Sequence, residues 1–251
     1  MITIKTFVSS NISKSSVISF FVFVCLNAQL ITKHPLSLII TPVALYIIAI
    51  ATRNKTIKMM SLCSVSFSLY YLSSFYFDHL ISSKGILIQI TNRFVSLICF
   101  LTPFYISLIS KKENLKYFSL GKADKQTIII FSISCLMTFV SFTPFMKFDN
   151  VLLIYSVIFA LINAPLEEIV WRGIILSVFS NSFKFIYSLL SVSLLFGLSH
   201  YFLGFSLQIC LIFAFGGILF SFITHKTKGI LCSTIIHFIS NVCMGLTGMI
   251  F

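Results

Sequence analysis

Residues Val151 to Phe179 read VLLIYSVIFALINAPLEEIVWRGIILSVF, an apolar run that carries two adjacent carboxylates and a guanidinium in its middle. A helix needs about 20 mostly apolar residues to cross the hydrocarbon core of a bilayer. An acidic or basic residue at the centre of such a helix costs roughly 2.5 to 3.5 kcal/mol on insertion scales. Glu167, Glu168 and Arg172 are therefore expelled unless they face a protein interior or a water-filled cavity. The stretch predicts one helix of an all-α, polytopic bundle with a polar site inside the membrane.

Helical geometry sorts the three charges. Glu168 and Arg172 are four residues apart with the acid first, the favourable order for a pair on one helix face. Glu167 is turned by about 100° from its neighbour and is left to act as a base. Pro165 lacks a backbone donor, and a kink is expected just before the acids. The structural alternative is a buried ion pair whose only task is to fix helix packing.

The rest of the chain agrees with a membrane protein. Of its 251 residues 58% are hydrophobic and 10% charged, against about 25% charged in soluble domains, and the mean hydropathy is +1.04. Nine apolar segments recur: Ser15 to Thr32, Leu36 to Thr52, Met59 to Phe77, Ile86 to Ile109, Thr127 to Phe145, Val151 to Phe179, Phe183 to Tyr201, Phe205 to Thr224 and Ile230 to Ile250. The first two are short, and read as one re-entrant hairpin they leave eight spans. Residues 1–251 are read as a single integral membrane domain, with spans lacking a motif in 1–150 and the motif-bearing core in 151–251.

The net charge of +12 does not point to nucleic acid, because the basic residues fall in gaps between apolar runs. With a cytoplasmic N-terminus, the cytoplasmic segments hold Lys5, Lys14, Arg53, Lys55, Lys58, Lys111, Lys112, Lys116, Lys122, Lys125, Lys184, Lys226 and Lys228. The outer side keeps Lys33, Lys84, Arg93 and Lys147, and this bias of thirteen to four predicts a multi-pass protein of the cell membrane in that orientation. The seven cysteines lie in apolar stretches without a C-x-x-C spacing, so neither a disulfide framework nor a zinc finger is indicated.

Two later apolar segments carry Phe196-Gly197-Leu198-Ser199-His200 and His237-Phe238-Ile239-Ser240-Asn241. His237 and Asn241 share a helix face, where a donor from each can meet one substrate oxygen. Taken singly, each is explained as an interhelical hydrogen bond, worth about 0.6 kcal/mol in a membrane bundle. Gly216 and Gly217 read as a close helix approach, and Asp78, His34, His79 and His225 as interfacial groups.

Glu-Glu-x-x-x-Arg, Phe-x-x-x-His and His-x-x-x-Asn, in this order in successive spans, resemble the signature of the CPBP family of intramembrane glutamic proteases. That family includes type II CAAX prenyl proteases, abortive-infection proteins and bacteriocin-processing or self-immunity proteins. The resemblance covers about Ala164 to Val242 and includes the turn at Lys228 and Gly229. It implies an endopeptidase in which Glu167 and His200 activate a water molecule, His237 and Asn241 form an oxyanion hole, and Glu168 and Arg172 support the site. The implied partners are membrane lipids and a peptide or lipidated-peptide substrate: a CAAX-like tail, a leader peptide or a bacteriocin-related segment.

Other readings stay open at this level. There is no His-Glu-x-x-His, Gly-x-Gly-Asp or Gly-x-Ser-Gly for a zinc, aspartyl or rhomboid intramembrane protease. No cofactor is expected, although zinc held by Glu167, His200 and His237 is chemically reasonable for a carboxylate with two imidazoles. A bacteriocin immunity protein acting by binding is the non-catalytic alternative, and a transporter is a third, since buried charges also mark ion pathways.

Overall fold

The computed structural model describes Cys25 and residues 35–53, 55–80, 85–110 and 115–251. Apart from Cys25, the expected first span, Ser15 to Thr32, lies outside the described residues. The others form a helical membrane bundle: α1 (Pro35–Thr52), α2 (Lys55–Leu80), α3 (Ile86–Ser110), α4 (Lys125–Phe142), α5 (Asn150–Glu168), α6 (Ser177–Ser182), α7 (Phe185–Ser199), α8 (Leu207–Thr227) and α9 (Leu231–Leu246). Five helical stretches are long and apolar enough to cross a membrane: 86–106, 125–145, 150–181, 185–203 and 207–227. The helices α1 and α9 are shorter apolar elements. Alternation of the helices gives the bundle two ends.

Neighbours pack as α1 on α2, α2 on α3, α7 on α8, and α9 on α5. The core between α2, α3, α7 and the helical segment that follows α5 is aromatic. Trp171 lies 5.8 Å from Phe67, 5.9 Å from Phe100 and 5.6 Å from Phe196 between ring centroids, all tilted or edge-on, the geometry that ring quadrupoles favour. The outward faces carry Ile39, Ile47, Ile133 and Leu136, each more than half exposed, as lipid contact demands. In α4 nearly the whole circumference is uncovered by protein.

Backbone satisfaction explains a polar feature of α2. Pro42 inside α1 cannot donate to the carbonyl four residues earlier, Leu38. The Ser68 hydroxyl of α2 lies 2.6 Å from that carbonyl, and 3.0 Å from its own-helix Ser64 carbonyl. Without water in the hydrocarbon core, a freed carbonyl needs such a partner.

Close approaches are set by small residues. A Cβ on Gly197 would lie 2.4 Å from the Cys210 carbonyl and 2.7 Å from Ala214, so α7 and α8 meet backbone to backbone. Gly217 packs against Ser193 and Phe196, as expected for a small residue at a helix contact, whereas Gly216 has open space beside it.

The long helix that begins at Asn150 continues past Pro165. No interruption occurs there: α-helix runs through Pro165 to Glu168 and widens into a π-helix over Ile169–Leu176. Pro165 sits past the first turn, where its ring displaces one hydrogen bond, and the register change follows one turn later. π-Turns of this kind recur at functional sites.

Candidate active site

Five elements bring polar side chains to one depth of the bundle. Asn163, Glu167 and Glu168 come from α5 and Arg172 from the π segment. Arg93 comes from α3, His200 from the turn that ends α7, and His237 and Asn241 from α9. All but Arg93 are buried, and the Arg93 side chain is 12% exposed.

The Glu168–Arg172 pair has the expected geometry, with Arg172 Nη1 donating to Glu168 Oε1 at 2.8 Å and both side chains fully enclosed. The guanidinium lies between two rings, 4.4 Å from the centroid of Phe196 and 5.1 Å from that of Phe220. Its Nη2 reaches the Gly217 carbonyl at 3.4 Å. A side chain at residue 217 would press on Ser193 and Phe196, so glycine there also lets α8 offer this carbonyl.

Glu167 does diverge from Glu168, but it is not unpartnered. Its Oε1 accepts from Arg93 Nη2. Arg93 in turn donates from Nε to Asn163 Oδ1 at 2.8 Å and lies over the Tyr70 ring at 5.3 Å. By sequence Arg93 falls among the outer-side charges. The structure corrects this: Arg93 is inside α3 and points into the bundle, where a buried carboxylate compensates it.

His237 sits edge-on between the two carboxylates, with Nδ1 2.9 Å from Glu168 Oε1 and Nε2 3.2 Å from Glu167 Oε2. The second contact is close enough for an ion pair but too poorly aligned for a hydrogen bond, so Glu167 Oε2 has no hydrogen-bond partner among the described residues. Phe220 stacks on the imidazole at 5.0 Å and 19°. Both nitrogens face carboxylates, and His237 does not line the cavity described next.

His200 begins the turn His200–Leu203, which closes at Gly204 with a left-handed φ of 93°. Its Nδ1 is 2.9 Å from the Phe196 carbonyl. A carbonyl only accepts, so the proton is on Nδ1 and, in the neutral ring, Nε2 holds the lone pair of a base. The ring lies close enough to Glu167, Arg93 and His237 for electrostatic interaction with each.

A cavity of about 490 Å³ reaches this cluster, lined by Arg93, Asn163, His200 and Asn241 together with residues from the ends of α2 and α3. Asn241 Nδ2 is buried and has no hydrogen-bond partner among the described residues. The cavity therefore meets a lone-pair nitrogen on His200 and an unsatisfied amide donor on Asn241, while the buried Glu167 reaches it through its partner Arg93. Among the described residues no group of three His, Cys, Asp or Glu has a metal-holding arrangement.

Arg93 and Asn163 belong to the site but to none of the three motifs. Each is a polar residue within an apolar run, and an intramembrane arginine is itself a signal that a buried acid is near. No curated protein and no solved structure gives a significant match to the chain. Residues 149–243, which include every residue of the three motifs, match the family model "Rce1-like: Type II CAAX prenyl endopeptidase Rce1-like", and this region of the chain is similar to that family.

Proposed function

We propose that the chain is an intramembrane endopeptidase that hydrolyses a membrane-proximal peptide bond with a water activated by Glu167 and His200. The observation that carries this reading is the convergence, on one cavity, of His200 with its Nδ1 tied to a carbonyl and Asn241 with a free amide donor, together with Arg93, which joins the buried Glu167 carboxylate to the same space. Similarity of residues 149–243 to a prenyl endopeptidase family supports it.

Water attacks the carbonyl carbon while its proton passes to the Glu167–His200 pair, and the carbonyl oxygen takes up the negative charge. Asn241 donates to that oxygen. The pair then returns the proton to the departing amine as the C–N bond breaks, leaving a carboxylate and an amine. His237 bridges Glu167 and Glu168 and holds the first in place, and Arg172 neutralises the second. The substrate is a peptide, with or without a lipid anchor.

The test uses purified protein in liposomes with a library of membrane-anchored fluorogenic peptides. Glu167→Ala and His200→Ala are expected to abolish cleavage. Asn241→Ala is expected to lower kcat by about 10²-fold or more, the effect of losing one oxyanion donor. Equal cleavage by wild type and both alanine variants would refute the assignment.

A further inference from the structure

The cavity and the basic residues occupy opposite ends of the bundle. The rim of the cavity includes Ser74 near the end of α2, Gln89 near the start of α3, the turn Leu203 to Phe205 after α7, and Met249 to Phe251 after α9. The start of α5 belongs to the same end, since Lys147 N donates to the Leu246 carbonyl at 2.8 Å and Phe159 meets Phe251 at 5.9 Å between centroids.

The other end is stitched together separately. Lys122 N donates to the Thr227 carbonyl at 2.7 Å, Ile230 N to the Ser119 carbonyl at 2.9 Å, and Tyr117 N to Ser177 Oγ at 3.0 Å. Exposed Arg53, Lys116, Lys122, Lys125, Lys184, Lys226 and Lys228 gather there. At the cavity end, Lys147 is the sole exposed Lys or Arg among the described residues. A bias of seven to one in short connections places the basic end in the cytoplasm. This needs no count of spans, only which end each described helix terminus occupies.

We propose that the cavity opens on the face of the membrane away from the cytoplasm, and that it admits a polypeptide segment reaching the bilayer from that side. The substrate half of this statement rests on the endopeptidase reading, and the sidedness does not. Depth agrees with such access. Arg93 is seven residues into α3 and Asn241 five residues before the end of α9, so at roughly 1.5 Å per residue the site lies only about 10 Å below that end. An extended chain covers this with about three residues. The substrate therefore has no need to span the bilayer. A secreted peptide, or the outer flank of a membrane anchor, is long enough. The rim sets Gln89 beside Phe202, Leu203 and Phe205, a mixed polar and apolar border that suits an amphipathic segment lying at the headgroup boundary.

The experiment is labelling with a membrane-impermeant sulfonated maleimide in right-side-out vesicles, with the wild-type cysteines as background. Gln89→Cys and Lys147→Cys are expected to react at least about tenfold faster than Lys122→Cys and Lys184→Cys. Detergent should bring all four to full labelling, which verifies that each thiol is reachable in the folded protein. The reverse pattern, or equal rates at both ends before detergent, overturns the proposal. Labelling needs no catalysis, so a failure of the peptidase assay and a failure of the sidedness are read independently.

Discussion

At the scale of single residues, Arg93 decides how Glu167 is held. Its guanidinium satisfies one carboxylate oxygen and the Asn163 amide oxygen together, an arrangement that a planar fork of donors makes and an ammonium does not. Arg93→Lys is expected to keep the charge but lose the second contact, lowering kcat by about tenfold or more with KM little changed and shifting the pH–rate profile. Arg93→Ala leaves a buried carboxylate uncompensated, which costs about 3 to 5 kcal/mol of stability when one partner of a buried pair is removed. Kinetics and thermal unfolding of the two variants in detergent check this, and an unchanged pH profile in Arg93→Lys would leave Arg93 with a structural role only. The contrast with Arg172 shows what local pattern can reveal. Glu168 and Arg172 are four apart on one helix, so their pairing is visible in the sequence. Arg93 and Glu167 are joined across two helices, and nothing in either local pattern names the partner.

At the scale of elements, the apolar runs foretold the helices well, because a backbone in lipid has little choice but to satisfy itself. Less visible was how each helix repairs its own defects. Ser68 compensates the carbonyl that Pro42 orphans in α1, a link across thirty residues that composition does not carry. Ser68→Ala is expected to cost about 1 to 3 kcal/mol, the penalty of an unsatisfied buried acceptor. In a Pro42→Ala background residue 42 regains its own N–H, and the same Ser68 change should cost clearly less. Equal losses in both backgrounds, measured by unfolding, would remove the proposed link. The start of α4 offers a second check. Asp124 Oδ1 accepts from Thr127 N at 2.7 Å as the N-cap, and hydrogen bonds from the Thr127 side chain and backbone hold its carboxyl below the usual aspartate range. A lowered folded-state value means that the contribution is present above the unfolded pKa and is lost as pH falls through the folded one. Between neutral and mildly acidic pH the cap should therefore be insensitive, failing only below the ordinary aspartate range. Asp124→Asn, which caps without titrating, should lack that acid-side loss in a pH series of melting temperatures.

At the scale of the whole molecule, the two ends differ in construction as well as in charge. The connection between α3 and α4 folds under the bundle, and its Gly121, with a left-handed φ of 80°, touches Gly229 in the turn between α8 and α9. A Cβ on Gly229 would lie 2.2 Å from the Gly121 nitrogen, a backbone atom with no freedom to move aside. The Lys228–Gly229 turn noted with the motifs is thus a clasp between the motif-bearing region and the preceding connection, at the end remote from the cavity. The turn is legible in the sequence and its partner is not, since the contact is made by two residues without side chains. Gly229→Ala is expected to separate the clasp and cost about 1 to 3 kcal/mol, the usual penalty for forcing atoms into a packed contact. Because Glu167, His200 and Asn241 are fixed by α3, α5, α7 and α9 rather than by this turn, kcat per folded molecule should stay within about twofold of wild type. Melting temperature and active-site-normalised kinetics measured on the same preparation test the separation. A loss of kcat as large as the one expected for Asn241→Ala would mean that the clasp sets the geometry of the site from the far side of the membrane.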